Sequence, residues 1–402
     1  HGPWRGRNKI LLSIDIGLTH SSVSFAYLEN GADQILHSVT KWPGQGMLNT
    51  EGLIPTLVWY DANDEAVAVG AEAQLRHIEE QAENSGWFLA KNFKVQLYPG
   101  DTGAQHNPRI SALPFGVSLK QVYTDFLRYL LKHTKSYFED RFVDGVQIWE
   151  RYKSTIEVVM SHPNQSGTRE QAFLRGVLVR AGYTTSDMAT NNIRFVTDTD
   201  ASAYCYLSNA SLASRLRTGD LFLLCDAGAT ITSVSLHRID STYPILKLHT
   251  CSSERLEGGA SLVDVEAERY IRQTMADVEI STEDVDTFTR WGIEDFKKRV
   301  KSTFSDETKE YLVQISDACF NNTALSTRRG RMALPGSVVK SFFENYINII
   351  RQGIDRHAAD TRTDISYILL AGEFGGSSYL QRVIKELHER GGCRIILASS
   401  SM

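Results

Sequence analysis

Two short stretches of the chain carry residue types from which a polyphosphate site can be built. Asp15-Ile16-Gly17-Leu18-Thr19-His20-Ser21-Ser22-Val23-Ser24-Phe25 and Asp226-Ala227-Gly228-Ala229-Thr230-Ile231-Thr232-Ser233-Val234-Ser235-Leu236 share the pattern Asp-x-Gly-x-Thr-x-Ser/Thr-Ser-Val-Ser-apolar. Glycine, having no side chain to collide, lets backbone N–H groups approach phosphate oxygens, and a neighbouring carboxylate is a hard ligand suited to magnesium. Two such bends facing each other would clamp the β- and γ-phosphates of a nucleotide and present Asp15 and Asp226 to Mg²⁺ through its water shell. Either bend alone is better read as an ordinary hairpin turn. The matched pair, followed by a third glycine turn at Gly372, favours phosphate.

Positioning these bends requires strands. Ile10 to Ile14 and Leu221 to Cys225 are apolar runs of strand length, and each bend is followed by alternating apolar and small residues, so each motif predicts a β-hairpin. Their separation suggests two similar α/β lobes arising by duplication. Leu119 to His133, Gln171 to Arg180, Ser261 to Ala276, Ile293 to Thr303, Val338 to Asp355 and Tyr379 to Arg390 have helical spacing, whereas Thr155 to Met160, Ile365 to Ala371 and Arg394 to Leu397 read as strands. Strand-like Ile54 to Tyr60, helix-like Ala71 to Ala82 and a Gly/Pro/Asn-rich loop from Pro99 to Pro114 resemble an insertion into the first lobe, and polar Ala318 to Pro335 predicts a hairpin or loop in a second. No long unassigned strand advertises an open sheet edge.

Composition removes whole classes. With 402 residues, 42% hydrophobic and 23% charged, the chain is long enough for two or three cores and too apolar for a disordered polymer. A formal charge of −5 without a basic run makes nucleic acid and anionic membrane poor default partners. No apolar stretch approaches the roughly 18 to 20 residues that span a bilayer. Cys205, Cys225, Cys251, Cys319 and Cys393 are scattered with no C-x-x-C spacing, as expected of reduced thiols in a cytoplasmic protein. In that compartment the Asn164, Asn209 and Asn321 sequons carry no meaning. Cys225 reads as a buried small hydrophobe, and His162, at a strand end before Pro163, as structural rather than as a base.

Taken in order, the motifs resemble the nucleotide-binding domain of the 70-kDa heat-shock protein family, in its divergent branch around family member 12 and related fungal proteins, over about Lys9 to Leu397. Asp15-Ile16-Gly17-Leu18-Thr19 resembles the first phosphate motif and Cys225-Asp226-Ala227-Gly228-Ala229-Thr230 the second. Phe88-Leu89-Ala90-Lys91 resembles the segment carrying the catalytic lysine, and Met160-Ser161-His162-Pro163-Asn164 a strand end written T-V-P. Asp198-Thr199-Asp200-Ala201-Ser202-Ala203 resembles the connecting E-P-x-A-A-A segment, and Glu257-Gly258-Gly259 followed by Asp264 the L-G-G turn. Leu370-Ala371-Gly372-Glu373-Phe374-Gly375-Gly376-Ser377-Ser378-Tyr379-Leu380-Gln381 resembles the adenosine motif.

The resemblance implies an α/β, two-lobed actin-like ATPase fold, duplicated and ribonuclease H-like, with an inserted subdomain in each lobe. Lobe I would span 8–217, with a core of 8–40 and 117–217 around an insert at 41–116. Lobe II would span 218–402, with a core of 218–256 and 335–402 around an insert at 257–334. It implies ATP or ADP with Mg²⁺ in the cleft, Lys91, Asp198 and Asp226 as catalytic residues, and Asp15 and Asp226 at the metal. Nucleotide contacts would come from Gly17, Leu18, Thr19, Gly228, Ala229, Thr230, Gly258, Gly259, Lys301, Gly372, Glu373, Phe374 and Gly375. Nothing in composition separates Lys91 from Lys94; the resemblance selects Lys91.

Leu18 and Ile231 stand where the family commonly has threonine, Asp198 is a methylene shorter than the usual glutamate, and Glu373 replaces a glycine. The expected function is an ATP-binding, slowly hydrolysing, chaperone-like nucleotide switch, with protein clients or co-chaperones as partners. A nucleotide-binding scaffold without hydrolysis is the main rival, and a small-molecule kinase of the same superfamily ranks last. Extended client peptides are expected not to bind these residues, because nothing follows Arg394 to Leu397 from which a separate peptide-binding domain could be built.

Overall fold

Alternation decides the first sheet. A computed structural model describes residues 2–46, 52–97, 113, 115–163, 166–207, 215–229, 231–243, 246–276, 278, 280–359, 364–372, 374–389 and 392–397. In β1 (Lys9–Ile16), Ile10, Leu12, Ile14 and Ile16 enter one core while Ser13 and Asp15 stay exposed on the opposite face. β2 (His20–Leu28) returns antiparallel with Asp15 opposite Ser22, and β3 (His37–Ser38) and β4 (Ile54–Pro55) pair with β2 in turn. A separate three-stranded sheet, in the order β6-β5-β7, contains β5 (Leu57–Tyr60), β6 (Ala66–Val69) and β7 (Phe88–Lys91).

The helix expected over 71–82 is instead two pieces. A 3₁₀ turn covers Gly70–Gln74, Leu75 is extended, and an α-helix runs Arg76–Ser85 to a left-handed Gly86. Helix Leu119–Arg141 starts where the Ser118 side chain accepts the Gln121 N–H, and its apolar stripe packs under the first sheet. β8 (Glu157–His162) lies parallel to β1, and β9 (Ile193–Thr197) parallel to β8, with helix Thr168–Ala181 between them in sequence. The sheet order is β3-β2-β1-β8-β9.

The second half repeats this path. β10 (Leu221–Ala227) and β11 (Ile231–Ser241) form the second hairpin, and β12 (Lys247–Glu257) pairs antiparallel with β11. Helices Ala260–Ala276 and Thr282–Asp295 follow, the latter passing through a π turn at Phe296–Val300 into Lys301–Thr303. A small sheet of β13 (Glu310–Gln314), β14 (Thr327–Arg328) and β15 (Arg331–Pro335) precedes helix Gly336–Ala359. β16 (Tyr367–Ala371) lies parallel to β10, then helix Ser378–His388 leads to β17 (Arg394–Leu397), parallel to β16. The order β12-β11-β10-β16-β17 has the same strand directions, place for place, as the first sheet. Eleven-residue β12 is an outer strand, where the sequence suggested no long edge.

The chain divides into two compact units, His1–Ala201 and Ser202–Met402. The division falls inside helix Asp198–Leu207 rather than after residue 217, because Ala203 and Leu207 pack with Phe222 and Leu224 of β10. Each unit has its own core, and β10 is covered on both faces. Leu221, Leu223, Cys225 and Ala227 enter one cluster, while Phe222 and Leu224 enter another. No helix among the described residues is long and apolar enough to cross a membrane. The five cysteines are free thiols.

Candidate functional site

In the first unit, the carboxyl ends of β1, β8 and β9 bring charged groups together, the end of a parallel sheet where ligands bind in open α/β folds. Asp15 is the penultimate residue of β1, and the Ser161 hydroxyl on neighbouring β8 donates to its Oδ1 at 2.6 Å. A Cβ at Gly17 would lie 2.1 Å from the His20 carbonyl oxygen, so the turn after Asp15 accepts only glycine. Leu18 is half-buried and Thr19 exposed, with the Thr19 carbonyl accepting the Thr56 N–H at 2.8 Å. Ser21, the hydroxyl two residues after Thr19, is buried against the Thr56 hydroxyl at 2.8 Å and serves the hairpin rather than a ligand.

The lysine that reaches this cluster is Lys94. Its Nζ lies 3.3 Å from Asp198 Oδ2, its side chain is 18% exposed, and it opens a short helix, Lys94–Leu97. Lys91 is exposed on β7 opposite Leu57, three residues before that helix, and the structure does not bring it to Asp15. Dense surrounding protein raises the Asp15 carboxyl above its ordinary 3.8, although the side chain remains open to solvent, which limits the effect. The Lys94 ammonium pulls it back, Asp198 pushes in the same direction as burial, and the Ser161 hydrogen bond opposes it. Among the described residues Asp198 Oδ1 is buried with no hydrogen-bond partner. Two carboxylates thus share one lysine, and one carboxylate oxygen is left for a further cation or donor.

In the second unit three glycine turns converge at the end of β10. Gly228 donates its N–H to the Ile231 carbonyl at 3.1 Å, and a Cβ there would lie 2.7 Å from that oxygen. The Gly228 and Ala229 carbonyls accept the N–H groups of Ala260 and Ser261, which joins this bend to the start of helix Ala260–Ala276. Gly258, at φ +134°, accepts the buried Thr232 hydroxyl at 3.0 Å, and the Gly259 carbonyl accepts the Leu262 N–H. Gly372, at φ +84°, crosses directly over Asp226; a Cβ would meet Asp226 Oδ1 at 2.4 Å. Phe374 then donates its N–H to the Ala227 carbonyl, and a Cβ at Gly375 would lie 2.4 Å from the Ala371 carbonyl oxygen.

Tyr206, which sequence reasoning missed, adjoins the same place. Burial pushes its hydroxyl well above the ordinary range, the Asp226 and Cys205 charges add to this, and the Gly372 N–H donated to it opposes. Lys301 sits at the far end of the π turn with Nζ 2.9 Å from Asp264 Oδ1, and lies 5.7 Å from the centre of the Phe374 ring. A π turn offsets helical register and so re-aims the side chains that follow it. Thr230 and Glu373 lie outside the described residues, as do the Asn164 and Asn209 sequons and most of the 99–114 loop. His162 has both ring nitrogens engaged: Nδ1 donates to the Pro163 carbonyl at 2.8 Å and Nε2 accepts from Gln171 at 3.2 Å.

Among the described residues no group of three or more His, Cys, Asp or Glu side chains is gathered to hold a metal ion. The Asp15 and Asp198 carboxylates with the orphaned Oδ1 nevertheless suit magnesium, which keeps most of its water and leans on one or two carboxylates together with substrate phosphates. No family model matches the chain, and no curated protein matches it.

Proposed function

We propose that this chain binds a magnesium-complexed adenine nucleotide, ATP or ADP, and works as a slowly hydrolysing, chaperone-like nucleotide switch of the 70-kDa heat-shock protein type on a two-lobed actin-like fold. The observation that carries this reading is the double repeat: the same five-strand path and the same Asp-x-Gly bend occur in both units. In this reading the Asp15 and Asp226 bends are the phosphate-binding elements, and the Gly372–Gly375 turn with Phe374, Lys301 and Asp264 holds the adenosine. Asp15, Asp198 and Asp226 would hold the hydrated ion. Bound there, magnesium would neutralise charge on the phosphates.

The chain's own residues do the rest. Ser161 fixes the Asp15 carboxylate through a hydrogen bond, and Asp198 fixes the Lys94 ammonium. Lys94 thereby becomes the lysine placed to stabilise charge that grows during phosphoryl transfer. The rival reading, a nucleotide-binding scaffold without hydrolysis, draws support from the same contact, since an ammonium held by Asp198 must be released before it can serve the phosphate. The apolar side chains of Leu18 and Ile231 favour it too.

Calorimetry with Mg-ADP and single-turnover kinetics with labelled ATP test the proposal. Saturable magnesium-dependent binding that Asp15→Ala with Asp226→Ala abolishes is expected. So is a turnover that Lys94→Ala lowers at least about tenfold and Lys91→Ala leaves within about twofold. Binding without turnover in the unsubstituted chain selects the scaffold, and no binding at millimolar nucleotide ends both readings.

A further inference from the structure

The small sheet of the second unit has two unlike faces. Val313, Met332, Leu334 and Thr327 point into the core. On the outer face β15 sets Arg331 between Gln314 of β13 and Arg328 of β14, directly opposite each. Two arginines therefore stand side by side across antiparallel strands, an arrangement that repels. A third, Arg329, occupies the adjoining two-residue turn with Gly330, at φ +51°, a left-handed conformation that glycine or asparagine would adopt with less strain.

Among the described residues none of the three is neutralised. Among the described residues Arg328, Arg329 and Arg331 are exposed and form no ion pair; the Nε of Arg331 donates to the neutral Gln314 side chain at 3.2 Å. Asp295, which accepts the Gln314 backbone N–H, is taken by Arg299. The tip is nonetheless held firmly: Gly330 bonds to Phe320 and to Ile315, and the Asn321 side chain accepts the Arg329 N–H. One residue pair further along the same face, Leu312 opposite Ala333, provides an exposed apolar patch, with Leu312 46% exposed. A rigid, uncompensated cluster of guanidinium groups beside an apolar side chain, in a chain of net charge −5, is a local exception that asks for anions from elsewhere.

We propose that this face is a docking surface for an acidic segment of a partner protein, with carboxylates on Arg328, Arg329 and Arg331 and an apolar residue on Leu312. A short acidic segment fits better than an extended polyanion, because the patch is small and the net negative charge of the remaining surface repels a long anionic strand or an anionic bilayer. The inference is independent of the nucleotide reading.

The test uses the full chain and a short fluorescein-labelled Glu-rich peptide with one central Leu, followed by anisotropy. Expected are saturable binding, weakening as salt rises, and a loss of at least about tenfold in Arg331→Glu. The same substitution should keep or raise the melting temperature, since Glu opposite Arg328 replaces repulsion with attraction. Should Arg331→Glu fail to fold, Arg328→Gln with Arg329→Gln is read in the same assay, with the same loss expected. Undiminished binding by whichever variant folds, no saturable binding by the unsubstituted chain, or tighter binding of phosphatidylserine vesicles or an RNA oligonucleotide than of the peptide overturns the proposal.

Discussion

In the hairpin of β1 and β2 a Cβ at Gly17 would meet the His20 carbonyl, and in that of β10 and β11 a Cβ at Gly228 would meet the Ile231 carbonyl, three residues on in each case. The hydroxyl at the seventh position of each motif, Ser21 or Thr232, is buried and ties its hairpin to a following segment. Around this shared device the two units diverge. The first surrounds its aspartate with Ser161, Lys94 and Asp198 on a strand half of whose residues face away from the core. The second sets its aspartate under Gly372 and beside Tyr206, on a strand buried from both sides. One backbone solution has thus been given charge in one unit and packing in the other. Side-chain truncations on β1 should therefore cost less stability than equivalent ones on β10.

The largest expected effect comes from the packing side. Leu224→Ala removes a fully buried side chain from β10 and should cost about 2–5 kcal/mol in urea unfolding, whereas Leu11→Ala, half-buried on the outer face of β1, should cost less than about half as much. Equal losses would show that the two sheets are covered alike and would remove the basis of the contrast.

The turns themselves give a smaller and sharper test. Gly17→Ala places its methyl 2.1 Å from a backbone oxygen and Gly228→Ala places it 2.7 Å away, and neither carbonyl can move without opening its hairpin. Each should cost about 1–3 kcal/mol, Gly17→Ala the more. A Gly17→Ala chain as stable as the unsubstituted one would mean that the first bend adapts, and that its glycine serves a ligand rather than the turn.

The paired hairpins, the alternation of strand and helix and the glycine turn at Gly372 were legible in the sequence because each is local: period-two apolarity, glycine at a fixed offset and apolar runs of strand length. What the sequence hid depends on distant partners. Nothing near Lys91 or Lys94 tells which one meets Asp198, over a hundred residues away; only the direction in which the short helix after β7 leaves the insert decides it. Polar alternation in Lys247–Glu257 concealed β12, since a strand with little apolar content reads as loop until its pairing with β11 is known. Likewise the unit boundary near residue 201 is set by Ala203 and Leu207 packing on β10 rather than by any local signal.

The smallest effect concerns pH, and it too separates the units. His37 and His133 in the first unit and His388 in the second are all held below the ordinary 6.5, chiefly by burial. Arg141 adds to the lowering at His37 and Lys132 at His133, while Glu72 opposes it at His133 and Asp355 at His388. A histidine whose folded value is depressed binds fewer protons folded than unfolded, so stability is fully present above the ordinary value and is lost as pH falls from there through the folded one. Urea unfolding should therefore become easier between about pH 7 and about pH 5, and the first unit, with two of the three groups, should contribute more of the slope. His37→Phe with His133→Phe should flatten the pH dependence further than His388→Phe does. Equal flattening by both variants, or a stability that rises on acidification through this range, would show that carboxylates such as Asp15, whose raised value works in the opposite sense, govern the first unit instead.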